Sequence, residues 1–514
     1  MKRLVIGVTG LLSTAGIIVL AGYLLVFSAS ADRAARAVPA DAAVYLNIYL
    51  EPSAGQRMNL YGLIGRLPGF ADPATLEQKI HDVAQRLIAQ TGIDYAADLR
   101  PWLGDQVALA ISAGEASDGG PQMLLLAAVA EPGASVAVDR IMTRDSAEFD
   151  PETYRGVALK VGASVSYALL DDLLLVGSSA AEVRSAIDAE TGAAPSLADS
   201  AEFAAALRLV PADHLGSIYL DLRSLVGAGE MEQVGGYATV AVALVAEAVG
   251  VRLLGEVPFV GAGSEAGEAF ALAGEASSLA GWMPADAQAE AILFGLGQTM
   301  TALEQQISGS TAMQDAAEAL NQLRALAAIG LGINVDRDLL PMFDREVGIV
   351  LEGGGGQSMM QLLLRPSDPG AASESLDRMR DALQHRGSRV TTSMIEGIEV
   401  TTIVVPEIGQ VAYALADEVV VVAFEPDAVT AVLRARVRGE TLAGTDGYRD
   451  AFDLVGTHRG HEVWVDVAGS IEALGEMLQF DEETRGILLR IGAFALSAPA
   501  RDNHLEINAI LTVK

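Results

Sequence analysis

The chain has no cysteine. That excludes disulfides, thiolate-ligated zinc or iron–sulfur sites, a cysteine nucleophile, and lipoprotein anchoring through an acylated thiol. It suits an oxidising compartment. Lysine is nearly missing too: Lys2, Lys79, Lys160 and Lys514 are the only four, so arginine supplies almost all positive charge. Even so, 34 basic residues face 67 acidic ones, for a net charge of −33. A field of that sign repels nucleic acid and anionic lipid headgroups, which removes nucleic-acid binding from consideration. Catalytic signatures are absent as well. There is no His-Glu-x-x-His, no Gly-x-Ser-x-Gly elbow and no Gly-Lys-Ser/Thr phosphate loop.

What remains is a folded, apolar chain. Half of its 514 residues are hydrophobic and a fifth are charged, enough for large cores and unlike a disordered protein. One uncharged apolar run, residues 4–27, follows Lys2 and Arg3. About 20 such residues span a bilayer as a helix, and basic residues in front place the N-terminus inside. We therefore expect a signal-anchor segment over residues 1–31. It would hold the protein in the inner membrane as a single pass, with its bulk in the periplasm. Ala29-Ser30-Ala31 also matches a small-residue cleavage site, so removal after Ala31 stays open. A second apolar stretch, 237–254, carries Glu247 and Arg252 and reads as a buried or amphipathic helix.

The exported part repeats itself. Tyr167-Ala168-Leu169-Leu170-Asp171-Asp172 leads into an apolar strand, and Tyr413-Ala414-Leu415-Ala416-Asp417-Glu418 does the same. Pro39-Ala40-Asp41-Ala42 returns as Pro284-Ala285-Asp286-Ala287. Asp98-Leu99-Arg100-Pro101 returns as Asp338-Leu339-Leu340-Pro341, and Ile218-Tyr219-Leu220-Asp221 as Val463-Trp464-Val465-Asp466. A spacing of about 245 residues is too long for a solenoid and suits domain duplication. Ser179-Ala180-Ala181-Glu182 is a capping box that starts a helix after the first hairpin. The expected fold class is α+β: two tandem copies of a mostly antiparallel sheet with helices on one face, over 32–275 and 276–514, preceded by the transmembrane helix.

The Pro-Ala-Asp-Ala opening, the Asp98–Gly104 turn with Trp102-Leu103, and Tyr-Ala-Leu-x-Asp before a strand resemble a bacterial family of uncharacterised, membrane-anchored envelope proteins, known as a domain of unknown function. The resemblance implies location and fold and supplies no catalytic residues. The second unit departs from it at Met342-Phe343-Asp344.

Candidate chemistry is thin. His458 and His461 are spaced to share a metal, with Asp466 nearby, yet a real site needs three or four ligands brought together. Loop histidines are more often simply solvated, and no cofactor is expected. Asp171-Asp172 and Asp417-Glu418 suggest an acid/base or calcium pair, but two-residue hairpin turns explain their recurrence. Asp221 and Asp466 recur inside strands and are candidates to line a cleft. The Gly-rich run 353–356 precedes a strand pattern and reads as a hairpin loop. The expectation is a non-catalytic binding or scaffold protein. It would contact the inner membrane through residues 4–27 and bind an envelope protein partner. The alternative is a carrier or sensor of a lipophilic ligand such as a lipid, and an exported hydrolase is the weakest reading.

Overall fold

In the computed structural model the described residues are 32–88, 93–115, 121–130, 134–143, 148–226, 239–259, 265–309, 318, 321–322, 324–354, 357–405, 409–478 and 482–514. They form two compact units, the first ending at Glu256 and the second running from Val257 to Lys514.

The first unit contains β1 (Ala42–Tyr49), β2 (Leu103–Glu115), β3 (Pro121–Val129), β4 (Asp150–Tyr154), β5 (Val157–Val161), β6 (Ser166–Leu170), β7 (Leu173–Gly177), β8 (Gly216–Asp221), β9 (Thr239–Glu247) and β10 (Gly250–Pro258). Antiparallel ladders arrange these as 4-5-6-7-3-2-1-8-9-10. The second contains β11 (Ala287–Phe294), β12 (Glu346–Gly354), β13 (Gln357–Arg365), β14 (Arg389–Ile395), β15 (Ile398–Val405), β16 (Gly409–Ala416), β17 (Val419–Ala423), β18 (His461–Asp466), β19 (Ile491–Ala498), β20 (Ala500–Arg501) and β21 (His504–Val513). Their order, 14-15-16-17-13-12-11-18-19-21, is the same arrangement.

The sequence motifs build these ladders. The acidic pairs are the tips of two-residue hairpins, with Leu170 paired to Leu173 and Ala416 to Val419. Asp171, Asp417 and Glu418 take positive φ, as a tight hairpin turn requires. Ser179 and Glu182 form the reciprocal cap of helix Ala180–Glu190. Gly353 and Gly354 end β12, and Gly354 pairs with Gln357 of β13.

Three expectations are corrected. Every ladder described within each unit is antiparallel, rather than most of them. Helices cover both sheet faces rather than one. In the first unit, helix Ala180–Glu190 packs Val183, Ala186 and Ile187 on Leu126 and Leu175. Helix Ala134–Met142 packs Ala134 and Val138 on Ala127 and Leu174 from the other side. In the second unit, helices Pro426–Arg438 and Pro369–His385 divide the faces in the same way. The cause is consecutive apolar residues in β3, β7, β13 and β17, which bury both sides of the pleat.

Thirdly, no helix among the described residues is long and apolar enough to cross a membrane. The run 4–27 and the cleavage site at Ala31 lie outside the described residues. The single-pass inner-membrane location expected above is therefore not supported. Residues 239–254 form the hairpin β9–β10, not a helix. Thr239, Ala241 and Ala243 are buried while Val240, Val242 and Leu244 are half-buried, a period of two that small residues disguise.

Candidate functional site

The histidine loop does not gather ligands. His461 opens β18, and its Nδ1 accepts the backbone N–H of Phe294 at 3.2 Å. The His458 ring lies against Phe452 and Tyr448, with centroids 4.6 and 5.9 Å away. Burial lowers the pKa of both rings. Asp466 ends β18 and caps helix Val467–Leu478, its Oδ1 accepting the N–H of Gly469 at 3.1 Å. Asp221 ends β8 and does the same for helix Leu222–Val226, accepting from the N–H of Arg223 at 3.1 Å and the hydroxyl of Ser224 at 3.0 Å. Among the described residues no group of three His, Asp or Glu side chains is placed to hold a metal. Asp466→Ala should then cost about 1 kcal/mol in denaturant melts, the loss of one helix cap.

The acidic turns are held by arginines. Arg33 pairs with Asp172, and with Asp105 at 2.6 Å. Arg33, Arg36, Asp171, Asp172 and Glu190 surround a depression of about 40 Å³. In the second unit Arg365 and Arg436 lie 3.8 and 3.9 Å from Glu418 and Asp417.

The unexpected polar chemistry is inside the second unit. Glu290 in β11 stands opposite Trp464 in β18, and Ile292 stands opposite Glu462. Glu290 and Glu462 are therefore diagonal neighbours on one sheet face, at a backbone spacing of about 7–8 Å that long side chains bridge. They are 2% and 1% exposed. The Tyr448 hydroxyl donates to Glu462 Oε2 at 3.5 Å. Both oxygens of Glu290, Oε1 of Glu462 and Nε1 of Trp464 are buried with no hydrogen-bond partner. Glu290 is pushed well above the usual carboxyl range, first by desolvation and then by the charge of Glu462. Glu462 is raised to about 8 by desolvation and by Glu346. Burial, followed by the two carboxyls, drives the Tyr448 hydroxyl up.

Two more acids sit on the same face in β12. Glu346 accepts from the Ser277 hydroxyl at 2.5 Å and the Ser278 N–H at 3.1 Å. Glu352, raised to about 7 by desolvation and then by Asp286, accepts from Gln361 Nε2 at 2.5 Å. Sequence reading missed all four because a single Glu in an alternating strand reads as a solvent position. The available signal was the comparison between units. Tyr45 and Ser217 occupy the matching register in β1 and β8.

The opposite face of the second sheet is partly bare. Leu351 and Met360 pair directly across β12 and β13, at 42% and 46% exposure. Helix Pro369–His385 covers Val347 and Leu364 at the other end of these strands, with Val420 of the neighbouring β17. Phe424, just past β17, is 56% exposed.

Comparison with protein families matches residues 4–510 to a protein of unknown function, DUF3352. This chain belongs to the DUF3352 family. No curated protein matches it. Two crystal forms of TP0453 have a weak likeness to this DUF3352 protein. Form I has 11% identity and a TM-score of 0.24, and form III 10% and 0.24; each covers 45% of this chain and 80% of that one. Likeness at that level carries no argument. The two units of the DUF3352 chain each make one polar contact of the same kind. Gln106 Oε1 accepts the N–H groups of Arg33 and Ala34 in the first unit, as Glu346 Oε1 accepts those of Ser278 and Leu279 in the second.

Proposed function

We propose that this DUF3352 protein is a non-catalytic binding or scaffold protein, built from two copies of one ancestral unit, that docks a partner protein on the bare end of its second sheet. The observation that carries this reading is the exposed Leu351–Met360 pair on a sheet face whose other end is covered by a helix. Contiguous exposed apolar surface beside covered surface marks interaction sites. The shared strand order of the two units supports the duplication. The histidines and strand-end aspartates already have structural employment as ring contacts, an acceptor and helix caps.

The test is a Leu351→Glu/Met360→Glu double variant, compared with wild type by chemical cross-linking in cells and by complementation of a deletion strain. Exposed substitutions should leave stability within about 0.5 kcal/mol. The expected result is an unchanged melting curve with loss of the cross-linked complex and of complementation. A variant that keeps both overturns the docking face.

A further inference from the structure

We propose that Glu290 and Glu462 form a buried proton-binding pair, which retains a proton in the folded second unit and ties the packing of that unit to pH. Two carboxyl groups lie diagonally on one face of β11 and β18, under Tyr448, within the apolar cluster that includes Ile292, Val350, Phe452 and Trp464. Among the described residues no arginine, lysine or histidine is ion-paired with either one. The groups that face them are few. Tyr448 comes from helix Asp446–Val455, and Glu346 from β12. Ser497, opposite Glu462 on β19, gives its hydroxyl proton to the Arg459 carbonyl. His458 touches Tyr448, not the carboxyls, and Arg365 lies 3.9 Å from Glu346.

Tyr448 has one proton to give. Three carboxyl oxygens therefore remain without a donor. Leaving two ionised carboxylates there would strand two uncompensated charges in a dry core, which neighbouring carboxyls avoid by sharing a proton. A retained proton removes one of these charges from the apolar core. The matching positions of the first unit hold Tyr45 and Ser217, whose hydroxyls carry their own protons at neutral pH, so that unit has no such pair.

The sign follows from linkage. The folded state holds a proton that the unfolded chain releases above the ordinary carboxyl range. Stability from this pair is complete at acid pH and falls as pH rises, until Glu462, raised to about 8, ionises in the folded state as well. For each proton retained, the unfolding equilibrium constant rises about tenfold per pH unit across that window.

The experiment uses the full chain in a Glu352→Gln background, because Glu352 is raised on the same face. Urea unfolding is followed from pH 5 to pH 9 for this protein and for the added Glu290→Gln/Glu462→Gln change. Infrared spectra of the folded proteins at pH 6 provide the second readout. We expect a slope steeper by about tenfold per pH unit in the parent than in the doubly amidated variant, and a buried protonated-carboxyl band stronger in the parent. Equal slopes in both proteins overturn the proposal. If the double variant does not fold, Glu462→Gln alone replaces it: a weaker protonated-carboxyl band than in the parent at pH 6 supports the pair, and an unchanged band overturns it.

Discussion

Truncating Phe452 to alanine should lower the stability of the second unit by about 3–5 kcal/mol, the range for deleting a fully buried aromatic ring. The ring is fully buried in helix Asp446–Val455 and meets Tyr448 at 4.7 Å and His458 at 4.6 Å between centroids. Its cavity would open toward Trp464 and Ile292, which belong to the same cluster. Collapse into that space is restricted, because the cluster rests on a hydrogen-bonded sheet that cannot move inward without breaking ladders. Phe452→Leu, which keeps most of the volume, should cost under about 1.5 kcal/mol. Urea unfolding monitored by tryptophan fluorescence checks both. A loss below about 1 kcal/mol for the alanine variant would mean that the helix does not pack as described. The matching region of the first unit is held by edge-on contacts of Phe203 with Tyr45 at 5.7 Å and Tyr219 at 5.1 Å, so Phe203→Ala should fall in the same range.

These rings show how far the sequence could be read. The order Leu197, Phe203, Tyr219 recurs as Leu442, Tyr448, Trp464, and the structure places all six in the two large cores. Hairpins and caps were legible because turn and cap chemistry is local: Asp171 and Asp417 need only their own backbone, and Ser179 needs only Glu182. Two-sided helix coverage was written in residues 124–127 and 419–422, which are apolar at every position, yet apolarity does not say what covers a strand. Residues 239–254 were misread because alanine and valine serve helix and strand alike, and only burial reveals the period of two. The carboxyl pair was hidden for a different reason. Glu290 and Glu462 are 172 residues apart, and only the β11–β18 register brings them together.

Asp338 carries the other large effect, and its dependence on pH has the opposite sign. Its carboxylate is 1% exposed at the turn Val335–Leu339. Arg337 grips it through two hydrogen bonds of 2.8 Å, Arg378 adds one at 3.0 Å, and the Asn334 N–H adds another at 3.0 Å. Hydrogen bonding from Arg337 is the main reason this carboxyl lies well below the usual range, against an opposing contribution from desolvation. Asp338→Asn keeps the shape and removes the charge. It should cost about 2–4 kcal/mol at neutral pH: charge-assisted bonds contribute about 1.5–3 kcal/mol each, and these are reduced because solvent screens the two arginines. The folded pKa is depressed, so the wild-type advantage is complete above the unfolded aspartate value near 4 and disappears as pH falls toward the folded value. Urea midpoints for wild type and Asp338→Asn should therefore converge between about pH 4 and pH 2. Curves that stay parallel over that interval would show that the loss comes from packing rather than from the carboxylate charge. Asp98 occupies the same place in the first unit, accepting from the Asp94 N–H at 3.0 Å and from Arg140 at 3.2 Å. Asp98→Asn should likewise destabilise the first unit in urea at neutral pH, because the same buried acid holds the same turn there.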